Sequence, residues 1–217
     1  MIRTLLIVLT AVLLSGCNAG RSNDGFTPLF NGTNLDGWTG DTAGYIVKNG
    51  EIHSRIPEPG EHLGNLYTSE EYANFILRFD FKLTPGANNG LGIRTPLTGD
   101  AAYVGIELQI LENTHEKWAG LQPWQFHGSV YGVAAAERGY QKPPGQWNRQ
   151  EVFVDGRRIE ITLNDHVILD VDLDDVSRDG TIDGRDHPGL NRASGHIGFL
   201  GHGDEVAFRN IEIKPLP

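Results

Sequence analysis

From Phe75 to Leu83 the chain reads Phe-Ile-Leu-Arg-Phe-Asp-Phe-Lys-Leu, with large apolar residues at every odd position and Arg78, Asp80 and Lys82 between them. Successive side chains of a strand point to opposite faces, so this period of two commits the segment to a half-buried antiparallel strand. Similar runs recur between turn signals. Val152 to Leu163 is broken by Asp155-Gly156, and Leu163 to Leu169 is broken by Asn164-Asp165, so three strands form a meander. Lys48-Asn49-Gly50-Glu51 predicts another hairpin. Val206 and Phe208 alternate in one phase and Ile211 and Ile213 in the other, which predicts a bulge at Arg209-Asn210. No segment sustains a helical period, apart from one turn near Glu70 to Ala73. The predicted fold is all-β, a two-sheet antiparallel sandwich of the jelly-roll kind.

The N-terminus predicts export. Arg3 precedes an apolar run of about ten residues, Leu5 to Leu14, too short to span a bilayer and suited to a signal peptide. It runs into Leu14-Ser-Gly-Cys17, which resembles a bacterial lipobox whose Cys17 is acylated. Residues 1–17 then form the signal with its lipidation site, 18–25 a tether, and 26–217 one domain. Asn18, rather than Asp, predicts the outer membrane of the cell envelope. Cys17 is the only cysteine, so the mature domain has no disulfide, thiolate metal site or cysteine nucleophile. Without residues 1–17 the chain carries 17 basic and 28 acidic residues, a net charge of −11. With no run of clustered Lys and Arg, nucleic acid is excluded as a partner.

The chemistry concentrates in Val104-Gly-Ile-Glu-Leu-Gln-Ile-Leu-Glu112, a strand that places Glu107 and Gln109 on one face and Ile106, Leu108 and Ile110 on the other. Asn88-Asn-Gly-Leu-Gly-Ile-Arg94 enters a neighbouring strand, with Arg94 expected beside the carboxylate if the two share a sheet. The long segments 113–127 and 133–146 are too rich in Trp, His, Tyr and Pro to be mere connectors. Trp118 and Trp124 are candidate platforms for sugar rings, and Trp38 and Trp147 are expected in the core. His127 and His202, the latter flanked by glycines, are the candidate proton-transfer groups. His62, His115, His166 and His187 are expected in solvent. No His-x-x-x-His pair signals a transition metal, and an oxygen-rich divalent ion site at Glu107 stays open. Glu107 and Glu112 also match Glu-x-Asp-x-x-Glu of retaining β-glucanases, whose carboxylates stand about 5 Å apart, with Gln109 replacing the central Asp.

Together, Pro28-Leu-Phe-Asn-Gly-Thr-Asn-Leu-Asp-Gly-Trp38, Asn88 to Arg94, Gly105 to Leu111, Gly128-Ser-Val-Tyr131, Pro144-Gly-Gln-Trp-Asn148, Gly195 to Gly203 and Phe208-Arg-Asn-Ile211 resemble a bacterial family first known as a domain of unknown function (DUF1080). This is the 3-keto-disaccharide hydrolase, or 3-keto-glucoside lyase/hydratase, family. The resemblance spans nearly the whole mature chain. It implies a concanavalin A-like jelly roll and a glycoside or oligosaccharide substrate, oxidised at carbon 3 by a separate oxidoreductase. The ketone acidifies the carbon-2 proton, so the aglycone leaves by elimination and water adds to the resulting 2-hydroxy-glucal. Such chemistry needs a base, a positive group against the enolate and an acid for the leaving oxygen. The implied assignments are Glu107 or His202 as base, Arg94 (or a metal ion at Glu107) as enolate stabiliser and His127 as acid. Gln109, Asn88 and Tyr131 would orient hydroxyls. Glu112 stands where members often have Asp, and His127-Gly-Ser where Thr-Gly-Ala is common. A non-catalytic sugar-binding lipoprotein and a β-glucanase using Glu107 and Glu112 remain alternatives.

Overall fold

The computed structural model describes residues 24–217. The apolar leader, Cys17 and the tether up to Asn23 lie outside the described residues. The elements in chain order are β1 (Thr27–Pro28), β2 (Trp38–Gly40), β3 (Tyr45–Lys48), β4 (Glu51–Ser54), β5 (Leu66–Tyr72), β6 (Phe75–Leu83) and β7 (Asn88–Thr95). A single-turn helix α1 (Ala101–Val104) precedes β8 (Ile106–Leu111). The meander β9 (Trp147–Asp155), β10 (Arg158–Leu163) and β11 (His166–Asp172) follows, then a second short helix α2 (Leu173–Val176), β12 (Gly195–Gly201) and β13 (Val206–Pro215).

The strands form two antiparallel sheets. The larger has the order β11-β10-β9-β6-β13-β4-β3, with β1 joined to β13, and the smaller β2-β5-β12-β7-β8. The alternation in β6 sets the sandwich: Phe75, Leu77, Phe79, Phe81 and Leu83 are all buried against the facing sheet. Phe199 on β12 and Phe208 on β13 stack across the sheets with ring centroids 3.7 Å apart, and Phe79 meets Phe199 edge-on. Each such side chain contributes roughly 1.5–3 kcal/mol on leaving water. Trp38 stacks on Phe199 and donates its indole N–H to the Leu29 carbonyl, as a core tryptophan must when its polar edge is buried.

The turns follow their sequences. Asn49 and Gly50 have φ of 55° and 76°, and Asn164 and Asp165 have 48° and 70°, the left-handed pairs that close two-residue hairpins. The β6–β13 register shifts between Arg209 and Glu212 with Asn210 at φ 52°, the bulge that lets both halves of β13 face the core. Two expectations fail. Glu70 lies within β5 rather than in a helical turn, because Tyr72 pairs with Gly195 and keeps the chain extended. Trp147 is half-buried outside the core, its ring between the Lys82 ammonium at 4.5 Å and the Arg209 guanidinium at 4.0 Å. Asn148, next along β9, takes the core-facing position instead.

Candidate active site

Pairing of β7 with β8 sets Gly90 opposite Gln109 and Gly92 opposite Glu107. Leu91, Ile93, Ile106, Leu108 and Ile110 turn into the core, so Glu107 and Gln109 occupy the outer face of the smaller sheet. That face is nonetheless covered, and Glu107 is only 5 % exposed. The cover begins at the free edge of β8. Gly128 N–H donates to the Gln109 carbonyl, Gln109 N–H to that of Ser129, and Tyr131 N–H to that of Glu107. Residues 128–131 therefore run beside β8 like a further strand, and Tyr131 stands next to Glu107.

Between this cover and the sheet lies a cavity of about 370 Å³. Glu107, Gln109 and Asn88 line it from the sheet, Trp118, Gln125 and Tyr131 from the segment after β8, Tyr103 from α1, and Asp100, Arg185 and His202 from other connections. Glycine makes the room. A Cβ on Gly90 would fall 2.1 Å from Glu107 Oε1. Gln109 Nε2 donates to Asn88 Oδ1 at 3.1 Å, Asn88 N–H donates to the Asp204 carboxylate, and Gln125 Nε2 donates to the Tyr131 hydroxyl. These contacts fix an array of amides and a phenol, the groups that read sugar hydroxyls.

His202 faces the Glu107 carboxylate. Its Nε2 stands 3.7 Å from Glu107 Oε1, too far for a hydrogen bond but within ion-pair reach, and its side chain is 44 % exposed at the mouth. The Glu107 carboxylate raises the His202 pKa above its ordinary 6.5, with burial opposing and Asp204 and Asp100 adding to the rise. Glu107 Oε1 is buried and accepts no hydrogen bond from the described residues. A buried carboxylate oxygen with no donor is costly in a static structure, and this one is open to a donor brought by a ligand in the cavity. Among the described residues no group of three or more His, Cys, Asp or Glu side chains is arranged to hold a metal ion.

Several residues expected here lie elsewhere. Arg94 shares the sheet with Glu107, but its backbone is left-handed (φ 49°), which ends the alternation at Ile93. Its guanidinium turns to the Ala73 and Arg192 carbonyls and to Asn74, away from the cavity. His127 is 1 % exposed and packs 4.9 Å from the Phe81 ring, between the sheets. Burial lowers its pKa to about 4; Gln150 approaches the ring and opposes the shift, yet neither side chain completes a hydrogen bond among the described residues. A neutral imidazole walled off from the cavity is no acid for a leaving group.

Glu112, five residues from Glu107, falls on the other side of the strand. It accepts from Gly86 N–H and from the amide and hydroxyl of Thr114. Burial favours its neutral form, and these donors outweigh burial to hold its pKa low. It closes a turn, so the two-carboxylate arrangement of a β-glucanase does not form at the cavity. Trp118 lines the cavity as expected, whereas Trp124 braces Tyr131 edge-on from behind.

His187, expected in solvent, is buried. Its Nε2 lies 3.1 Å from Asp183, with the two side chains 2 % and 3 % exposed. Burial disfavours the Asp183 carboxylate, but the Arg185 amide and the His187 ring overcome this and keep its pKa low. Asp100, Tyr103, Gln125 and Arg185 reach the cavity from segments between the strands whose sequences carry no periodicity, and only the fold reveals them.

A lectin-like sandwich whose amide- and aromatic-lined cavity holds a facing carboxylate and imidazole has the build of a carbohydrate-active enzyme. The chain belongs to the family of the 3-keto-alpha-glucoside-1,2-lyase-like domain, whose model matches residues 25–214. It is similar to a 3-keto-disaccharide hydrolase of Bacteroides thetaiotaomicron, 26% identical over 89% of this chain and 79% of that protein. A candidate glycosyl hydrolase of Parabacteroides distasonis superposes with a TM-score of 0.75 at 30% identity, covering 88% of this chain and 99% of the other. A Bacillus subtilis protein with a galectin-like fold, at 14% identity, shares the fold alone: its TM-score is 0.57 over 87% of this chain and 94% of its own.

Proposed function

We propose that this protein cleaves 3-keto-glycosides by elimination, with Glu107 as base and His202 as its acid partner. Glu107 removes the carbon-2 proton of the bound ketone, and the electron pair moves onto the carbon-3 oxygen as an enolate. The His202 imidazolium supplies positive charge against it. When the enolate collapses, the carbonyl reforms, carbon 1 and carbon 2 become doubly bonded, and the carbon–oxygen bond to the aglycone breaks. The departing oxygen takes its proton from His202. Addition of water to the unsaturated product by the same two groups in reverse roles completes a net hydrolysis. Gln109, Asn88 and Tyr131 hold the sugar hydroxyls, and Trp118 offers an apolar face.

The observation that carries this reading is the buried, undonated Glu107 Oε1 facing an imidazole of raised pKa at the mouth of the cavity. The substrate requires an oxidoreductase acting earlier at carbon 3. The reading from Cys17 adds acylation and attachment to the outer membrane. The test is proton NMR in heavy water with a 3-keto-glucoside and, separately, its unoxidised parent. Deuterium at carbon 2 with aglycone release from the ketone alone is expected, and Glu107→Gln abolishes both. Inertness toward ketones of both anomers, or undiminished turnover by Glu107→Gln, overturns the mechanism.

A further inference from the structure

We infer that Arg185 and Tyr103 form a carboxylate-binding subsite at the rim of the cavity, selecting glycosides whose aglycone carries an acid group. The inference rests on the cavity being the place where the glycoside is cleaved and adds the chemistry of the group being released. Two side chains able to carry positive charge, His202 and Arg185, line the cavity. His202 faces Glu107, whereas the Arg185 guanidinium makes no ion pair among the described residues. In a mature chain of net charge −11, a cavity-facing guanidinium that pairs with no carboxylate among the described residues, Asp100 of the same cavity included, is placed to meet an anion arriving with the ligand.

The guanidinium is also held in place. It lies 3.9 Å over the centre of the Tyr103 ring, and its Nη1 donates to the Tyr103 hydroxyl. Tyr103 in turn rests on the His187 ring, 4.7 Å between centroids, and His187 is fixed by the buried Asp183 carboxylate. Asp183 accepts from the Arg185 amide at 3.0 Å, so one carboxylate secures both the turn that carries the arginine and the ring beneath it. Gly132, beside Tyr131, permits this: a Cβ there would lie 2.5 Å from Asp183 Oδ2 and 2.7 Å from His187 Nε2. An exposed arginine ordinarily loses side-chain freedom on binding; this one is already held, with the rest of its planar fork unpaired among the described residues.

Position supplies the remaining step. Glu107 is at the buried floor and Arg185 at the exposed rim, so the sugar carbons that react sit deep and the departing group extends outward. A carboxylate on that group reaches the guanidinium, where a charge-assisted pair is stronger than a neutral hydrogen bond.

The test compares 4-carboxyphenyl and 4-carbamoylphenyl 3-keto-glucosides, of both anomers, with the wild-type protein and Arg185→Gln. These aglycones match closely in size and differ in charge. A wild-type kcat/KM ratio of roughly tenfold in favour of the acid at low salt is expected, falling at high salt. In Arg185→Gln the ratio should approach one. Titration calorimetry with the two unoxidised glucosides reads the subsite without the chemistry. The same preference in binding, lost in Arg185→Gln, supports the subsite even if neither ketone turns over, an outcome that would sink the elimination reading alone. Equal wild-type binding of acid and amide, or a ratio unchanged by Arg185→Gln, overturns the subsite.

Discussion

Replacement of His127 by phenylalanine should make the protein more resistant to acid. The unfolded chain binds a proton on this imidazole near its ordinary value of 6.5, whereas the native ring, 1 % exposed on Phe81, does so only at about 4. Below pH 6.5 the unfolded state therefore holds a proton that the native state refuses. Native stability falls as pH falls, down to about pH 4, where the native ring also titrates. Moving from 6.5 to about 4, at about 1.4 kcal/mol per pH unit, is worth roughly 3–4 kcal/mol in full, of which about 3 kcal/mol is lost by pH 4, where the native ring is half protonated. Phenylalanine removes the titrating group and its two unsatisfied nitrogens while keeping a ring against Phe81. Urea unfolding followed by tryptophan fluorescence, at several values between pH 7 and pH 4, measures the difference between variant and wild type. That difference should be small at pH 7 and widen by about 3 kcal/mol at pH 4. Glu112 and Asp183 also lose stabilising charge in acid, but they do so in both proteins and cancel. Parallel stability curves would refute the burial argument. Loss of turnover in a well-folded His127→Phe would restore His127 to the chemistry.

In Glu107→Gln the His202 pKa should fall toward its ordinary 6.5, because the carboxylate that raises it is gone; titration of the ring protons by NMR measures this, and an unmoved midpoint would mean that Asp204 and Asp100 suffice. Gly90→Ala drives a methyl into the space of Glu107 Oε1 and should lower kcat/KM roughly a hundredfold, as about 1 Å of misplacement does, at a stability cost of about 1–3 kcal/mol. Wild-type activity in a well-folded Gly90→Ala would show that the carboxylate has freedom this geometry denies it.

Features that repeat along the strands were legible in the sequence. The alternation of β6, the glycine- and asparagine-bearing hairpins, the phase change in β13 and the shared outward face of Glu107 and Gln109 each follow from a period of two or a turn requirement. His202 was legible because glycines flank it. What stayed hidden depends on single backbone angles or on contacts between distant loops. One left-handed residue turns Arg94 from the cavity, and the direction in which the chain enters residues 128–131 sends His127 inward. The parity that separates Glu112 from Glu107 was readable, but the donors that claim Glu112, Gly86 and Thr114, come together only in the fold. Nothing local announces that Asp183 and His187 bury each other beneath Tyr103.

The backbone cover along β8 bears on how the protein behaves when crowded. β8 is the last strand of its sheet, and an outermost strand with free amides and carbonyls is a template on which a second copy can grow. Here residues 128–131 occupy those groups, so the strand bearing Glu107 is closed to edge-to-edge stacking. At the opposite margin β2 is only three residues long, too short to recruit a neighbour. The segment that walls the cavity thus also guards the sheet against aggregation. Damage to residues 128–131 should appear first as self-association at high concentration and then as lost turnover.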